Sequence, residues 1–165
     1  MEIKNNSYDE NTKIKILAKY LVTKGVTTAL RLQKLLFMLR FEEVVNEQLN
    51  DSYFAPNNNF QAWINGPVNT EVYYYLRPMF IEIDEKDHYL LSEKKEEDKK
   101  EIERLDRKYK TFFEKWDVYS DDDLIDISHT NKAWVKARKD IGPNEPCTNY
   151  LDEQSPEFLK MNTNY

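Results

Sequence analysis

Five successive positions, Leu35-Leu36-Phe37-Met38-Leu39, are apolar, so a helix built from them turns no polar face to water. Such a helix has to be surrounded by protein. On either side the pattern becomes amphipathic, with Arg31 and Gln33 before the run and Arg40, Glu42, Glu43 and Glu47 after it. The spacing predicts a helix from about Thr28 to Leu49. Its N-terminus is expected at the hydroxyl of Thr27, and the rest of the chain is expected to pack around it.

The remaining segments supply that packing. Ile14, Leu17, Ala18 and Leu21 form a helical stripe within Ile14 to Val22, and Gly25 follows as a left-handed terminator. Asp51 to Asn59 reads as a loop. Phe60 to Val68 is too short for a helix and contains the turn Asn65-Gly66-Pro67, in which Gly66 supplies a positive φ. Asn69 or Thr70 then caps a helix running through Leu76, with Pro78 expected to stop it. Phe80-Ile81-Glu82-Ile83 and His88-Tyr89-Leu90-Leu91 suggest a short β-hairpin.

Beyond it, a helix beginning near Ser92 carries Ile102, Leu105, Tyr109, Phe112, Phe113 and Trp116 on one face and a solvated Lys/Glu face opposite. Ser120, followed by Asp121, Asp122 and Asp123, is an acid-rich helix start that suits the positive end of the dipole, and the helix continues through Leu124, Ile125 and Ile127. Thr130 is expected to cap a further helix holding Ala133, Trp134 and Ala137. Tyr150, Leu151, Phe158, Leu159 and Met161 should tie the tail to the body. The expected fold is mainly α, one domain over 1–165 with its core at about 12–161, made of about six helices and a small β-hairpin.

Three Gly and six Pro in 165 residues are too few for a turn-rich sandwich or barrel. The apolar share of 40% and aromatic share of 13% exclude a disordered chain. A net charge of −6 gives no basic stripe of the kind that displaces counterions from phosphates, so nucleic acid is disfavoured as a partner. The lone Cys147 cannot form an internal disulfide, and the polar start, Met1 to Glu10, does not read as a signal peptide. No apolar stretch approaches the roughly 20 residues needed to span a bilayer. The expected compartment is the cytoplasm, without membrane association.

No catalytic constellation emerges. His88, His129 and Cys147 have no metal-ligand spacing, and Gly25, Gly66 and Gly142 are too far apart for a phosphate loop. Ser128-His129 lacks the strained elbow of a nucleophilic serine, and adjacent side chains seldom meet as nucleophile and base. Asp121 to Asp123 lack the Gly and terminal Glu of a calcium loop. The expectation is a non-enzyme with no catalytic, metal or cofactor residues and no cofactor.

Three motifs carry a resemblance. Leu30-Arg31-Leu32-Gln33-Lys34-Leu35-Leu36-Phe37 looks like "LKLQKLLY". Phe60-Gln61-Ala62-Trp63-Ile64-Asn65-Gly66-Pro67-Val68, followed by Glu71-Val72-Tyr73, is similar to "F-x-A-W-x-x-G-P-V" and "x-V-Y". Leu124 to His129, with Trp134 and Arg138, resembles "L-s-x-x-T-H" and "W-x-x-a-R". In order and spacing these resemble the Panacea (SocA-like) domain, a family of bacterial and phage-associated antitoxins. Phe37, Asn65 and Ser128 depart from it, standing where Tyr, Tyr or Lys, and Thr are usual.

The resemblance implies an antitoxin that neutralises a cognate protein toxin by stoichiometric binding. It also implies an alternative, an adaptor delivering a toxin to a ClpXP-type protease. An autoregulatory DNA-binding protein, from a different class, is a further alternative that the acidic charge balance disfavours. The signature and partner-binding candidates are Lys34, Trp63, Gly66, Pro67, Val68, Tyr73, His129 and Trp134. Gly66 and Pro67 also read simply as turn formers. Trp63, Tyr73 and Trp134 fit a core as well as an interface. Two readings stand for Lys34: an ion pair with Glu71, or contact with a partner.

Overall fold

A computed structural model describes residues 10–85 and 96–164. In order it comprises α1 (Glu10–Thr23), α2 (Ala29–Val45), β1 (Gln61–Trp63), β2 (Gly66–Val68), α3 (Thr70–Glu85), α4 (Glu96–Asp117), α5 (Asp121–His129), α6 (Lys132–Ala137) and a 3₁₀ turn (Pro156–Leu159). The fold is mainly α with one small antiparallel hairpin.

The apolar run lies in α2, and α2 is the hub. It packs against α1, α3, α4, α5, β2 and the 3₁₀ turn, and every residue from Leu32 to Glu43 is buried. Phe37 meets Phe60 and Phe158 edge-on at 5.3 and 5.7 Å, the ring geometry that the aromatic quadrupole favours. The helix is shorter than its sequence pattern suggested, and its cap is Thr28, whose hydroxyl accepts from the Arg31 amide. Gly25 ends the α1 segment at φ 100°, as expected.

The polar residues flanking the run are where the amphipathic reading fails. Gln33, Arg40, Glu42 and Glu43 are all buried, and each is hydrogen-bonded to a partner distant in sequence. Arg40 Nε donates to Glu153 at 2.9 Å, Nη1 to Glu43 at 2.7 Å and Nη2 to the Pro56 carbonyl at 2.7 Å. Glu43 also accepts from the Tyr109 hydroxyl at 2.8 Å, and Glu42 from Trp116 Nε1 at 2.9 Å. The aromatic stripe of α4 thus has polar tips that dock onto α2 carboxylates. Charges removed from water persist only when paired in this way.

Three further expectations are corrected. Pro78 does not stop α3 but lies inside it; the ring costs about 3 kcal/mol in a helix interior, and α3 holds its place through buried Val72 and Leu76. Phe80 to Ile83 are therefore helical rather than a strand, because a short apolar run does not distinguish the two by period. The partner strand expected at His88 to Leu91 lies outside the described residues. The hairpin is instead Gln61–Trp63 with Gly66–Val68, in the register Trp63↔Gly66, and it leans on residues 149–151 through Ala62 N to Asn149 O and Leu151 N to Phe60 O.

Asn69 accepts from the Val72 amide at the start of α3, and Ser120 accepts from Asp123 at that of α5. Thr130 does not cap α6. That role belongs to Asn131, whose Oδ1 accepts from Ala133 and Trp134 while its Nδ2 donates to the Phe158 carbonyl. In the tail, Leu151 and Phe158 are buried, whereas Tyr150 and Leu159 stay half exposed. Among the described residues no helix is long and apolar enough to cross a membrane.

Candidate functional site

The hairpin of β1 and β2 is gripped by side chains from both of its neighbours in space. From α2, Lys34 Nζ donates to the Pro67 carbonyl at 2.8 Å. Gln33 brackets the start of α3, donating to the Asn69 carbonyl at 3.0 Å and accepting from the Asn69 amide at 2.8 Å. From α5, α6 and the residue that ends α6, His129 Nε2 bonds the Ile64 carbonyl at 3.0 Å, Trp134 Nε1 the Trp63 carbonyl at 3.0 Å and Arg138 Nη1 the Ala62 carbonyl at 2.8 Å. A carbonyl only accepts, so His129 carries its proton on Nε2. His129 stacks on Trp134 with centroids 4.3 Å apart, and the Arg138 guanidinium lies 5.5 Å from the Trp134 ring.

Gly66 explains why the two sides can close. It adopts φ 109°, and a Cβ there would stand 2.5 Å from Ser128 Oγ and 2.8 Å from Lys34 Nζ. Only glycine meets both demands. Pro67 and Val68 are buried against α2, so all three motifs converge on one hairpin.

Lys34 has no exposed surface. It pairs with a backbone carbonyl, not with Glu71, and desolvation pushes its ammonium down to about 7. Burial also lowers His129, helped by the positive charges of Lys34 and Arg138 and opposed by the Ile64 carbonyl and Asp126. Ser128 turns its hydroxyl into its own helix, to the Ile125 carbonyl at 2.8 Å. Ser128 and His129 therefore point to different acceptors and do not form a nucleophile–base pair. Among the described residues no group of three His, Cys, Asp or Glu side chains is placed to hold a metal ion.

Beside the clamped hairpin lies an apolar groove of about 500 Å³, bounded by Ala29 and Leu30 of α2, by Trp63 and Ile64 of the hairpin, and by Tyr73 and Cys147. Trp63 and Tyr73 meet at 4.9 Å, and Trp63 Nε1 is held by the Gln61 side chain at 2.9 Å. Both rings are half-buried, neither core nor free. Trp134 is likewise half-buried, under His129.

No family model, curated protein or solved structure matches this chain.

A second hollow, of about 790 Å³, is polar and is lined by Lys13, Glu47, Asp51, Glu101, Arg104 and Lys108 among others. Its charges largely answer one another: the Tyr53 hydroxyl donates to Glu101, Arg104 pairs with Glu101, and Lys108 donates to the Gln48 and Asn50 carbonyls.

Of the residues singled out from sequence, Gly66, Pro67, His129 and Trp134 meet as parts of the clamp. Lys34, Trp63 and Val68 belong to both clamp and groove, and Tyr73 to the groove alone. Sequence reasoning missed Gln33 and Asn131 and gave Arg138 no role. Asn131 had a readable signal, an Asn standing just before an apolar helical pattern. Gln33 had none, since its partner Asn69 is 36 positions away.

Proposed function

We propose that this chain is an antitoxin that neutralises a cognate protein toxin by direct, stoichiometric binding, with the apolar groove as its contact surface. The observation that carries the reading is the convergence of the three motifs. Residues of α2, of the hairpin and of α5–α6 that together resemble the Panacea signature hold one hairpin in place, and that hairpin forms one wall of the groove. A wall fixed by four side-chain bonds to backbone carbonyls is pre-organised, which lowers the entropy lost on association. Tryptophan and tyrosine at its edge are residue types that anchor protein interfaces.

The reading is tested by expressing each gene adjacent to this one alone and together with it. The expected result is a neighbour that arrests growth alone and is tolerated on co-expression, its product co-purifying with this chain in a fixed ratio. An adaptor for a ClpXP-type protease would instead shorten the toxin's lifetime without accumulating in complex with it.

A further inference from the structure

The apolar groove does not end at Tyr73. A smaller hollow of about 120 Å³, bounded by Leu32, Val72, Leu76 and Arg77, shares Ala29, Gln33 and Tyr73 with the larger one. The two form a continuous trough between the first turns of α2 and the hairpin with α3. Its lining contains two basic residues, Lys34 and Arg77, and neither Asp nor Glu. On a chain with 30 acidic and 24 basic residues, that is a local reversal of sign.

The two basic residues differ in use. Lys34 is buried, with its amine turned to the Pro67 carbonyl. Arg77 is exposed, lies 5.7 Å from the Tyr73 ring centroid, and has no carboxylate partner among the described residues. A guanidinium resting on an aromatic face keeps its donor edges free for a planar carboxylate. Trp63, Tyr73 and Arg77 thus stand in series at the rim, the first two in edge contact and the third at cation–π distance from Tyr73.

We infer that the trough binds an amphipathic peptide segment of the partner protein, with its apolar side chains entering between α2 and the hairpin and an Asp or Glu pairing with Arg77. This rests on the protein-binding reading and gives it a recognition rule. A small polar ligand fits less well, because such sites converge several free polar groups, whereas Gln33 turns both ends of its amide to Asn69. A nucleic-acid backbone fits less well still, since it calls for several exposed cations along its track.

The test is selection of a displayed library of random peptides on the purified full-length chain. The expected outcome is a consensus of two or three apolar anchors beside an acidic residue. Tyr73→Ala should weaken binding of the selected peptides by about tenfold or more, the scale of losing an interface anchor. Arg77→Glu should redirect the selection from acidic to basic flanks. Arg77 is exposed, so this variant decides the matter even where Tyr73→Ala fails to fold. Absence of a consensus, a consensus without the acid, or peptides indifferent to Arg77→Glu would overturn the inference. Toxin rescue is scored separately. Rescue without a peptide consensus leaves the antitoxin reading standing and removes this rule; a consensus without rescue does the reverse.

Discussion

The amine of Lys34 reaches the carbonyl of Pro67 at 2.8 Å across the space that Gly66 leaves open. A buried amine here meets a neutral backbone group, not a carboxylate; the hairpin wall of the groove is held by that bond and three like it from His129, Trp134 and Arg138, while Gln33 holds the adjoining Asn69.

Lys34 makes stability depend on pH. Its folded value of about 7 lies below its ordinary 10.5, so between the two the unfolded chain binds the additional proton and stability rises with pH. The groups facing the amine are the Pro67 carbonyl, Ser128 and the neutral His129. Burial raises the phenols of Tyr20, Tyr53 and Tyr109, and they titrate above this window. Urea unfolding should show the chain gaining about 1–2 kcal/mol between about pH 7 and 9, with Lys34→Met removing most of that slope.

Gly66→Ala should be among the most damaging single-methyl changes in the chain. It combines a positive φ with a Cβ inside contact distance of two buried side chains, and a loss of about 3 kcal/mol is expected in denaturant unfolding. Gly25→Ala meets no neighbouring atom and should cost only the backbone strain, about 1 kcal/mol.

His129 contributes an acid-sensitive element. Its folded value lies below its ordinary 6.5, so the stability it supports is complete above that value and is lost as pH falls through the folded one. His129→Gln keeps a donor for the Ile64 carbonyl without titrating. Melting temperatures at about pH 7 and 5 should therefore fall less for this variant than for the parent chain.

Glu153 fastens the C-terminal segment to α2 by accepting from Arg40 Nε at 2.9 Å and from the Asn59 amide at 2.8 Å. Burial pushes its carboxyl up, and Arg40 and Asn59 pull it back. Glu153→Ala leaves Arg40 paired with Glu43 but removes the buried acceptor of Arg40 Nε and of the Asn59 amide, and should cost about 2–3 kcal/mol, read from the urea midpoint.

Period and caps made much of this fold legible. Leu35 to Leu39 marked the hub, Ser120 marked one helix start, and the pair Asn69 and Thr70 marked another, where Asn69 is the cap. What stayed hidden depends on partners far apart in the chain. Arg40 and Glu153 are separated by 113 positions and Glu43 and Tyr109 by 66, so Arg40 and Glu43 looked solvent-facing when each had a buried partner waiting. Phe80 to Ile83 misled because four residues fit either period, and Pro78 because α3 runs on through it.

The site was legible in a different sense. The motif residues could be found, but their work is side chain to backbone, which no residue pattern announces. Arg138 and Gln33 act on the carbonyls of Ala62 and Asn69, groups that every residue type carries.

The central claim, toxin neutralisation through the groove, is tested most directly by growth of cells expressing a toxic neighbouring gene with either the parent chain or Arg77→Glu. The account predicts rescue by the parent chain and loss of rescue by the variant, with the variant's melting temperature unchanged. Equal rescue by both, or no toxic neighbour at all, would contradict it.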